Sequence, residues 1–97
     1  MRAHCLTASC FMPGMIVITA GVKSLIECKP LDPFTYLQRH LQGDWGDVDP
    51  QDWQANQCAL EHGDRLLSVY RVNDELTLWI ITEGDRSVTV LLLPEEY

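Results

Sequence analysis

Three consecutive runs of β-forming residues constrain the fold of this chain more than any other feature. The runs cover residues 66–72, 76–82 and 88–93, and they are rich in Val, Ile, Leu, Tyr and Trp. Asn73-Asp74 separates the first two runs and Gly84-Asp85 separates the last two. Such dipeptides are typical of hairpin turns. The pattern therefore predicts an antiparallel meander of three strands.

The middle run is apolar on both sides of the strand that it predicts. Successive residues of a strand point to opposite faces. One face carries Leu76, Leu78 and Ile80, and the other carries Thr77, Trp79 and Ile81. Because a strand that is apolar on both sides belongs inside a sheet, we expect this strand to be central, with helices packed on one sheet face.

An Asp-Pro dipeptide marks the start of one helix, because Asp is a favoured N-cap and Pro fits the first helical position. The dipeptide is Asp32-Pro33, and Phe34, Leu37 and Leu41 then fall on one helical face. Gly43 is the expected end of this helix.

The same signal recurs at Asp49-Pro50, with Asp52 three residues after the cap. The apolar side of this second helix consists of Trp53, Cys58 and Leu60. Gly63 is the expected C-terminal cap.

The N-terminal part of the chain has weaker signals. Residues 1–10 show no periodicity and are typical of a flexible tail. Residues 15–19 predict a short strand, and residues 20–28 predict a short helix that Pro30 stops. We therefore expect a tail (1–10) and a single α+β domain (11–97). The domain would contain a short N-terminal strand, two to three helices and the meander packed on them.

Composition indicates a globular and strongly acidic chain. The 97 residues are 46% hydrophobic, and seven Lys and Arg stand against fourteen Asp and Glu for a formal net charge of −7. Because nucleic-acid binders neutralise phosphates with basic side chains, we expect neither direct nucleic-acid binding nor binding to anionic membranes. No apolar run suits a membrane span or a signal peptide, so we expect a cytoplasmic protein.

The four cysteines, Cys5, Cys10, Cys28 and Cys58, form no CxxC pair. Without an export signal they are expected to be reduced thiols. A zinc site built from Cys5, Cys10, His4 and one distant ligand is an alternative, although structural zinc normally uses closer paired spacings. We expect neither a metal nor another cofactor.

The segment 40–64 holds six carboxylates and two tryptophans but no Lys or Arg. Its GDWGD motif combines Asp44, Trp45 and Asp47 with two glycines that permit a sharp turn. Uncompensated negative charge beside aromatic side chains suits a cationic partner. We therefore interpret one set of residues as a candidate binding surface: Asp44, Trp45, Asp47, Asp49, Asp52 and Trp53.

Two other interpretations of this segment stay open. Paired aspartates can bind a divalent cation or act as acid and base, and the loop can also be explained by packing alone. Asp49 and Asp52 in addition lie near a predicted helix N-terminus, where carboxylates are favourable.

A second polar cluster surrounds the predicted turn at residues 82–87. Its members converge on an acid–base site if this turn folds against the start of the first meander strand: His62, Arg65, Glu83, Asp85 and Arg86. The alternative is a hairpin in which Arg86 pairs with a carboxylate and orders the turn. His40 and His62 lie at predicted helix C-termini, where the helix dipole favours a cation.

Standard catalytic motifs do not occur in the sequence. No Ser lies in a GxSxG context, and neither GxxxxGK[ST] nor GxGxxG is present. The sequence therefore favours a protein that is not an enzyme. A small metal-dependent hydrolase, with GDWGD carboxylates acting beside His62, Arg65 or Arg86, is the alternative.

Several motifs resemble a family of small proteins encoded on bacterial plasmids and integrative elements. The motifs are GDWGD (43–47), RLLSVY (65–70), ITEGDRS (81–87) and LLPEEY (92–97). Where this family usually has Ala in ITEADRS, the chain has Gly84, which loosens the turn without removing a polar group. Some members carry the label of a type I restriction-modification subunit, but the chain is too short for a methyltransferase and has none of its motifs.

The resemblance implies an accessory role for a mobile element, such as protection against host defence. Together with the acidic segment it favours an anti-CRISPR or anti-restriction inhibitor that binds a host defence nucleoprotein complex. A partner subunit of a toxin–antitoxin or replication complex is a further alternative. The small domain also permits a homodimer, because self-association would add to its modest stability.

Overall fold

The computed structural model describes residues 9–28 and 31–97 and shows an α+β fold. The elements are β1 (Met15–Ile18), α1 (Ala20–Glu27), α2 (Pro33–Leu41), α3 (Pro50–His62), β2 (Leu66–Asn73), β3 (Leu76–Thr82), β4 (Val88–Leu92) and a final 3-10 helix (Pro94–Glu96). The predicted fold class is therefore confirmed. The three C-terminal strands agree with their predicted bounds to within one residue.

The four strands form one mixed sheet in the order β1-β4-β3-β2. β2, β3 and β4 are the expected antiparallel meander, with β3 inside the sheet. β1 joins β4 in parallel, with Met15 opposite Val88 and Ile18 opposite Leu91. The sequence did not predict this fourth position, because parallel strands are joined by a long crossover that leaves no local signal.

Side-chain hydrogen bonds fix the helix starts. The Asp32 carboxylate accepts from the Phe34 N–H at 3.2 Å, and the Asp49 carboxylate accepts from the Asp52 N–H at 2.8 Å. Both predicted N-caps are therefore confirmed. α3 ends at a left-handed Gly63 as expected, whereas α2 is capped by Gln42, one residue before the predicted glycine.

The helices pack on one face of the sheet. The main cluster of buried side chains comprises Val22, Leu31, Leu37, Tyr70, Leu78, Ile80 and Leu91. A smaller cluster of Trp45, Ala59 and Leu66 lies beside the α2–α3 connection. Burial of an apolar side chain of this size stabilises the fold by about 1.5–3 kcal/mol.

Two predicted helix faces differ from the observed ones. Phe34 is 72% exposed, although Leu37 on the same predicted face is buried. Cys58 of α3 is also exposed, whereas Asn56 is buried. The Asn56 amide donates to the Leu67 carbonyl oxygen at 2.7 Å and accepts from the Leu67 N–H at 3.2 Å. A satisfied polar side chain therefore takes an inward position that the apolar pattern does not reveal.

The second face of the sheet is also apolar. Trp79 and Ile81 lie there with Leu67 and Tyr97 around a cavity of about 220 Å³. The ring centroids of Trp79 and Tyr97 are 5.5 Å apart, and Ile81 is only 5% exposed. β3 therefore buries side chains on both faces, as its sequence predicts.

Part of the predicted N-terminal organisation lies outside the described residues. This applies to residues 1–8 of the tail and to Pro30, while α1 ends at Glu27 with Cys28 as its cap. At the end of the predicted tail, the Cys10 N–H donates to the Leu41 carbonyl oxygen at 2.7 Å. None of the helices within residues 9–28 and 31–97 has the length and apolar character that crossing a membrane requires.

Candidate functional site

The GDWGD motif forms a loop that runs along the outer edge of β2. The Val69 N–H donates to the Trp45 carbonyl oxygen at 3.1 Å, and the Asp47 N–H donates to the Val69 carbonyl oxygen at 2.6 Å. Gly46 lies opposite Val69 with a φ of 79°. A Cβ at Gly46 would lie 2.2 Å from the Val69 carbonyl oxygen, so only glycine fits this close approach.

Trp45 lies in the core and not on the surface. Its side chain is completely buried, and its Nε1–H donates to Gln57 Oε1 at 2.9 Å. Its ring centroid is 5.5 Å from that of His40 and 6.4 Å from that of Phe11. Trp53 is half-buried against the same cluster. Trp45 therefore offers no contact area to a partner, and the predicted binding surface loses its central aromatic residue.

Asp44 is held in an ion pair. The Arg39 Nε–H donates to Asp44 Oδ2 at 2.8 Å, and the Gly46 N–H donates to Asp44 Oδ1 at 3.1 Å. The bond from Arg39, supported by the one from Gly46, holds the pKa of the Asp44 carboxyl below its usual range. The Arg39 guanidinium also lies over the Tyr70 ring, 4.8 Å from its centroid. Much of the Asp44 charge is therefore compensated inside the chain.

Asp47, Asp49 and Asp52 are the exposed carboxylates of the predicted surface, and they follow one another from the loop into the first turn of α3. Asp47 Oδ2 accepts from the Arg71 N–H at 2.8 Å, and Asp49 is the N-cap of α3. A hydrogen bond from a backbone N–H does not neutralise the charge of either carboxylate. The loop and the helix start therefore present negative charge in fixed positions.

Arg86 connects the end of α3 with the β3–β4 turn. Its Nη1–H donates to the Asp64 carbonyl oxygen at 2.6 Å, and its Nη2–H donates to the Ala59 carbonyl oxygen at 3.0 Å. Further bonds reach the carbonyl oxygens of Glu83 and Gly84. The predicted pairing of Arg86 with a carboxylate is therefore wrong. The carbonyl oxygens at a helix end carry partial negative charge and need donors, and Arg86 supplies them.

The other members of the second polar cluster each have a separate local partner. His62 Nδ1 lies 2.9 Å from the Cys58 carbonyl oxygen within its own helix. Asp85 Oδ1 accepts from the Ser87 hydroxyl at 2.6 Å, which with the Ser87 N–H lowers the pKa of Asp85. Arg65 lies 3.7 Å from Glu83, with both side chains about half exposed. The contacts of Asp85 and Glu83 order the turn, whereas that of His62 stays within α3, and together they do not assemble a shared acid–base site.

His40 belongs to a series of buried side-chain hydrogen bonds, here called the polar chain, that the sequence did not predict. Its Nδ1 lies 2.5 Å from Ser68 Oγ and its Nε2 lies 2.9 Å from Thr82 Oγ1. Thr82 Oγ1 is 2.7 Å from Thr89 Oγ1, and the Thr89 hydroxyl donates to the Pro13 carbonyl oxygen at 2.7 Å. Ser68, Thr82 and Thr89 are all completely buried.

The direction of these hydrogen bonds assigns the His40 tautomer. A carbonyl oxygen only accepts, so Thr89 donates to Pro13 and must accept from Thr82. The Thr82 oxygen then accepts from Nε2–H of His40, and Nδ1 accepts from Ser68. Burial, with the charge of Arg86 as a second cause, lowers the pKa of His40 from 6.5 to about 3. The expectation of a cationic His40 at the helix end is therefore wrong, because burial keeps the ring neutral.

The LLPEEY motif connects the 3-10 helix to the start of α1 through hydrogen bonds of Glu96. The Glu96 carboxylate accepts from the Thr19 hydroxyl at 2.5 Å and from the Gly21 N–H at 2.9 Å. It also accepts from the Leu93 N–H at 2.9 Å. These bonds, chiefly the one from Thr19, hold the pKa of Glu96 below its usual range. The motif therefore has a structural role.

Metal-ligating side chains do not gather in groups of three or more anywhere in residues 9–28 and 31–97. Two ligands of the alternative zinc site, His4 and Cys5, lie outside those residues. Comparison of the chain with family models, curated proteins and solved structures gave no match.

Proposed function

We propose that this chain is an acidic accessory protein of a mobile element that acts by binding a cationic surface of another protein. The observation that carries the proposal is the exposure of Asp47, Asp49 and Asp52 in a segment, 40–64, that contains no Lys or Arg. Asp44 contributes less, because Arg39 already compensates its charge. The binding surface proposed here is therefore the set Asp47, Asp49 and Asp52.

The rigidity of this surface supports a role in binding. Asp47 is anchored by the Arg71 N–H and Asp49 by the Asp52 N–H. Groups that are already ordered lose less conformational entropy when a partner binds. Fixed charges of one sign also accelerate the encounter with a surface of the opposite sign.

A host defence nucleoprotein complex is the partner that fits both the charge and the resemblance. Such complexes hold nucleic acid in grooves lined with Lys and Arg, and carboxylates in fixed positions compete for the same side chains. Inhibition follows because the groove cannot hold the acidic surface and a phosphate backbone at once. The motifs shared with proteins of plasmids and integrative elements support this assignment.

The test compares two double variants with the same change in charge. Asp47→Asn with Asp52→Asn removes two charges from the proposed surface, and the Asn oxygen at position 47 can still accept from the Arg71 N–H. Asp74→Asn with Glu75→Gln removes two exposed charges at the β2–β3 turn, outside the segment 40–64. Each variant is expressed with an incoming plasmid or phage in strains that carry a restriction or CRISPR system.

We expect the wild type and the Asp74/Glu75 variant to protect the incoming DNA. The Asp47/Asp52 variant should lose most of this protection while it stays folded, with only the small loss of stability that follows from removing the Asp52 charge at the start of α3. Equal protection by both double variants would contradict the assignment of the surface. Absence of protection by the wild type in every defence strain would contradict the anti-defence function itself.

A further inference from the structure

In the part of the chain that the structure describes, the outer edge of β1 lacks the features that usually prevent edge strands from pairing. All four residues of Met15–Ile18 are exposed, and none is charged. Residues 5–22 contain no charged side chain, although 22% of the whole chain is charged. Natural edge strands are normally protected by Lys, Pro, a bulge or a covering element. Among the described strands only β4 pairs with β1, so within residues 9–28 and 31–97 no strand covers its other edge.

The apolar surface extends from β1 to neighbouring residues. Phe34 is 72% exposed and borders a cavity of about 380 Å³ together with Ile16 and Ile18. Met12, 75% exposed, precedes the strand. Among the described residues Asp32 is the one acid on the cavity wall, and its carboxylate caps α2.

The exposed apolar side chains along this edge are extensive enough for a small interface. The exposed side chains are Met12, Met15, Ile16, Val17, Ile18 and Phe34. They lie along the edge on both faces of the sheet and present on the order of 600 Å² of surface, so that two copies would bury at most about 1,200 Å² in total, the lower end of the range for a specific interface. A second copy of the chain has the matching surface, because a two-fold axis brings identical patches together.

We propose that β1 pairs with β1 of a second copy, antiparallel across a two-fold axis, so that the two sheets of four strands become one continuous sheet. This inference does not depend on the proposed function.

The backbone directions define the register of this pairing. The Met15 N–H donates to the Ser87 carbonyl oxygen and the Thr19 N–H donates to the Leu91 carbonyl oxygen, so alternate residues of β1 face β4. The N–H and C=O groups of Ile16 and Ile18 therefore point outward. Pairing Ile16 of each copy with Ile18 of the other satisfies all of these groups and places the two Val17 residues opposite each other at the axis.

The charge distribution is compatible with this arrangement despite the net charge of −7 on each copy. The GDWGD loop runs along β2, which is the opposite edge strand of the sheet. The acidic loops therefore lie at the two distal ends of the dimer, with all the strands of both copies between them. Repulsion over such distances is largely screened at physiological salt.

Val17→Lys is the variant that tests the interface. At the two-fold axis the two ammonium groups would face each other directly, whereas in a single copy Val17 is 39% exposed and a lysine side chain can reach solvent. Val69→Lys is the matched control, because residue 69 lies on the same sheet face but on β2, the opposite edge. Both variants carry the same change in charge.

Molar mass is measured by light scattering after gel filtration over a wide range of protein concentration. We expect the wild type and Val69→Lys to reach about 22 kDa, twice the 11.0 kDa of one chain, and Val17→Lys to stay at 11.0 kDa with unchanged circular dichroism. Hydrogen exchange should show protected Ile16 and Ile18 amides in the wild type and faster exchange of both in Val17→Lys. A wild type that stays monomeric, or a dimer that Val17→Lys leaves intact, overturns the proposal.

Discussion

The Nε2 atom of His40 and the Oγ1 atom of Thr82 lie 2.9 Å apart in the buried interface between α2 and β3. Through Thr89 the same chain of hydrogen bonds continues to the carbonyl oxygen of Pro13, which fixes its direction. The chain thus connects one helix, three strands and the segment before β1. These hydrogen bonds fix the position of α2 relative to the strands more specifically than apolar packing alone does.

His40 should make stability depend on pH. Its pKa is about 3 in the folded protein and 6.5 ordinarily, so the unfolded state takes up the proton first as pH falls. The stabilisation is complete above pH 6.5 and is lost as pH falls from 6.5 towards 3. The free energy of unfolding should decrease by about 1.4 kcal/mol for each pH unit well below the unfolded pKa.

Urea unfolding of the wild type and of His40→Gln at several pH values measures this effect, and the variant should show a flatter profile over that range. Nitrogen-15 NMR should find the proton on Nε2. A His40 ring that titrates near its ordinary pKa would refute the prediction.

Thr82→Val should destabilise the fold by about 1–3 kcal/mol. It leaves the buried His40 Nε2–H without an acceptor, and the Thr89 oxygen loses the hydroxyl that donates to it. The shape of the side chain is nearly unchanged, so a cavity does not explain the loss. Thr77→Val is the control, since Thr77 is on the same strand but half-buried. Chemical denaturation measures the free energy of unfolding of both variants. Equal values would show that the polar chain does not contribute to stability.

Gly46→Ala should be much more damaging than Gly43→Ala. Both glycines have left-handed φ values, 79° and 84°, so both substitutions carry the backbone strain of about 1–2 kcal/mol. A Cβ at Gly46 also meets the Val69 carbonyl oxygen at 2.2 Å, whereas the nearest atom at Gly43 is Cys10 Sγ at 3.5 Å. Thermal unfolding of the two variants tests this difference, and similar losses would mean that the loop does not pack against β2 as described.

Arg86→Lys should cost about 1–3 kcal/mol although it keeps the charge, because a lysine cannot reproduce the planar set of bonds to backbone carbonyls. Arg65→Lys should stay within about 0.5 kcal/mol, since Arg65 forms an exposed ion pair. Urea unfolding provides the measurement. If the two substitutions cost the same, Arg86 does not hold α3 to the β3–β4 turn.

The parts of the fold with local signals were predictable. Asp32 and Asp49 identify their helices through bonds to residues two or three positions away, and Asn73-Asp74 identifies a turn between adjacent strands. The position of β1 has no such signal, because its partner β4 is distant in the sequence. In the structure Thr82 lies on the same face as Leu78 and Ile80 and is completely buried, but the sequence analysis assigned no role to it. The sequence could not identify its partner as His40.

The candidate site was only partly predictable for a related reason. The GDWGD charges were visible, but the burial of Trp45 depends on Phe11, His40 and Gln57, which the fold brings together from three segments. Arg86 was assigned a carboxylate because side-chain charges are readable in a sequence. Arg86 instead binds carbonyl oxygens at the end of α3, and a sequence does not show which carbonyl oxygens need a donor.

The pairing of β1 with β4 also has a consequence for synthesis. Translation produces Met15–Ile18 long before residues 88–92, so the emerging polypeptide carries this apolar strand without its partner until those residues have been made. In that interval the strand is open to chaperones and to neighbouring nascent chains. Misassembly should therefore be most frequent during translation, and slower elongation before residue 88 should increase it.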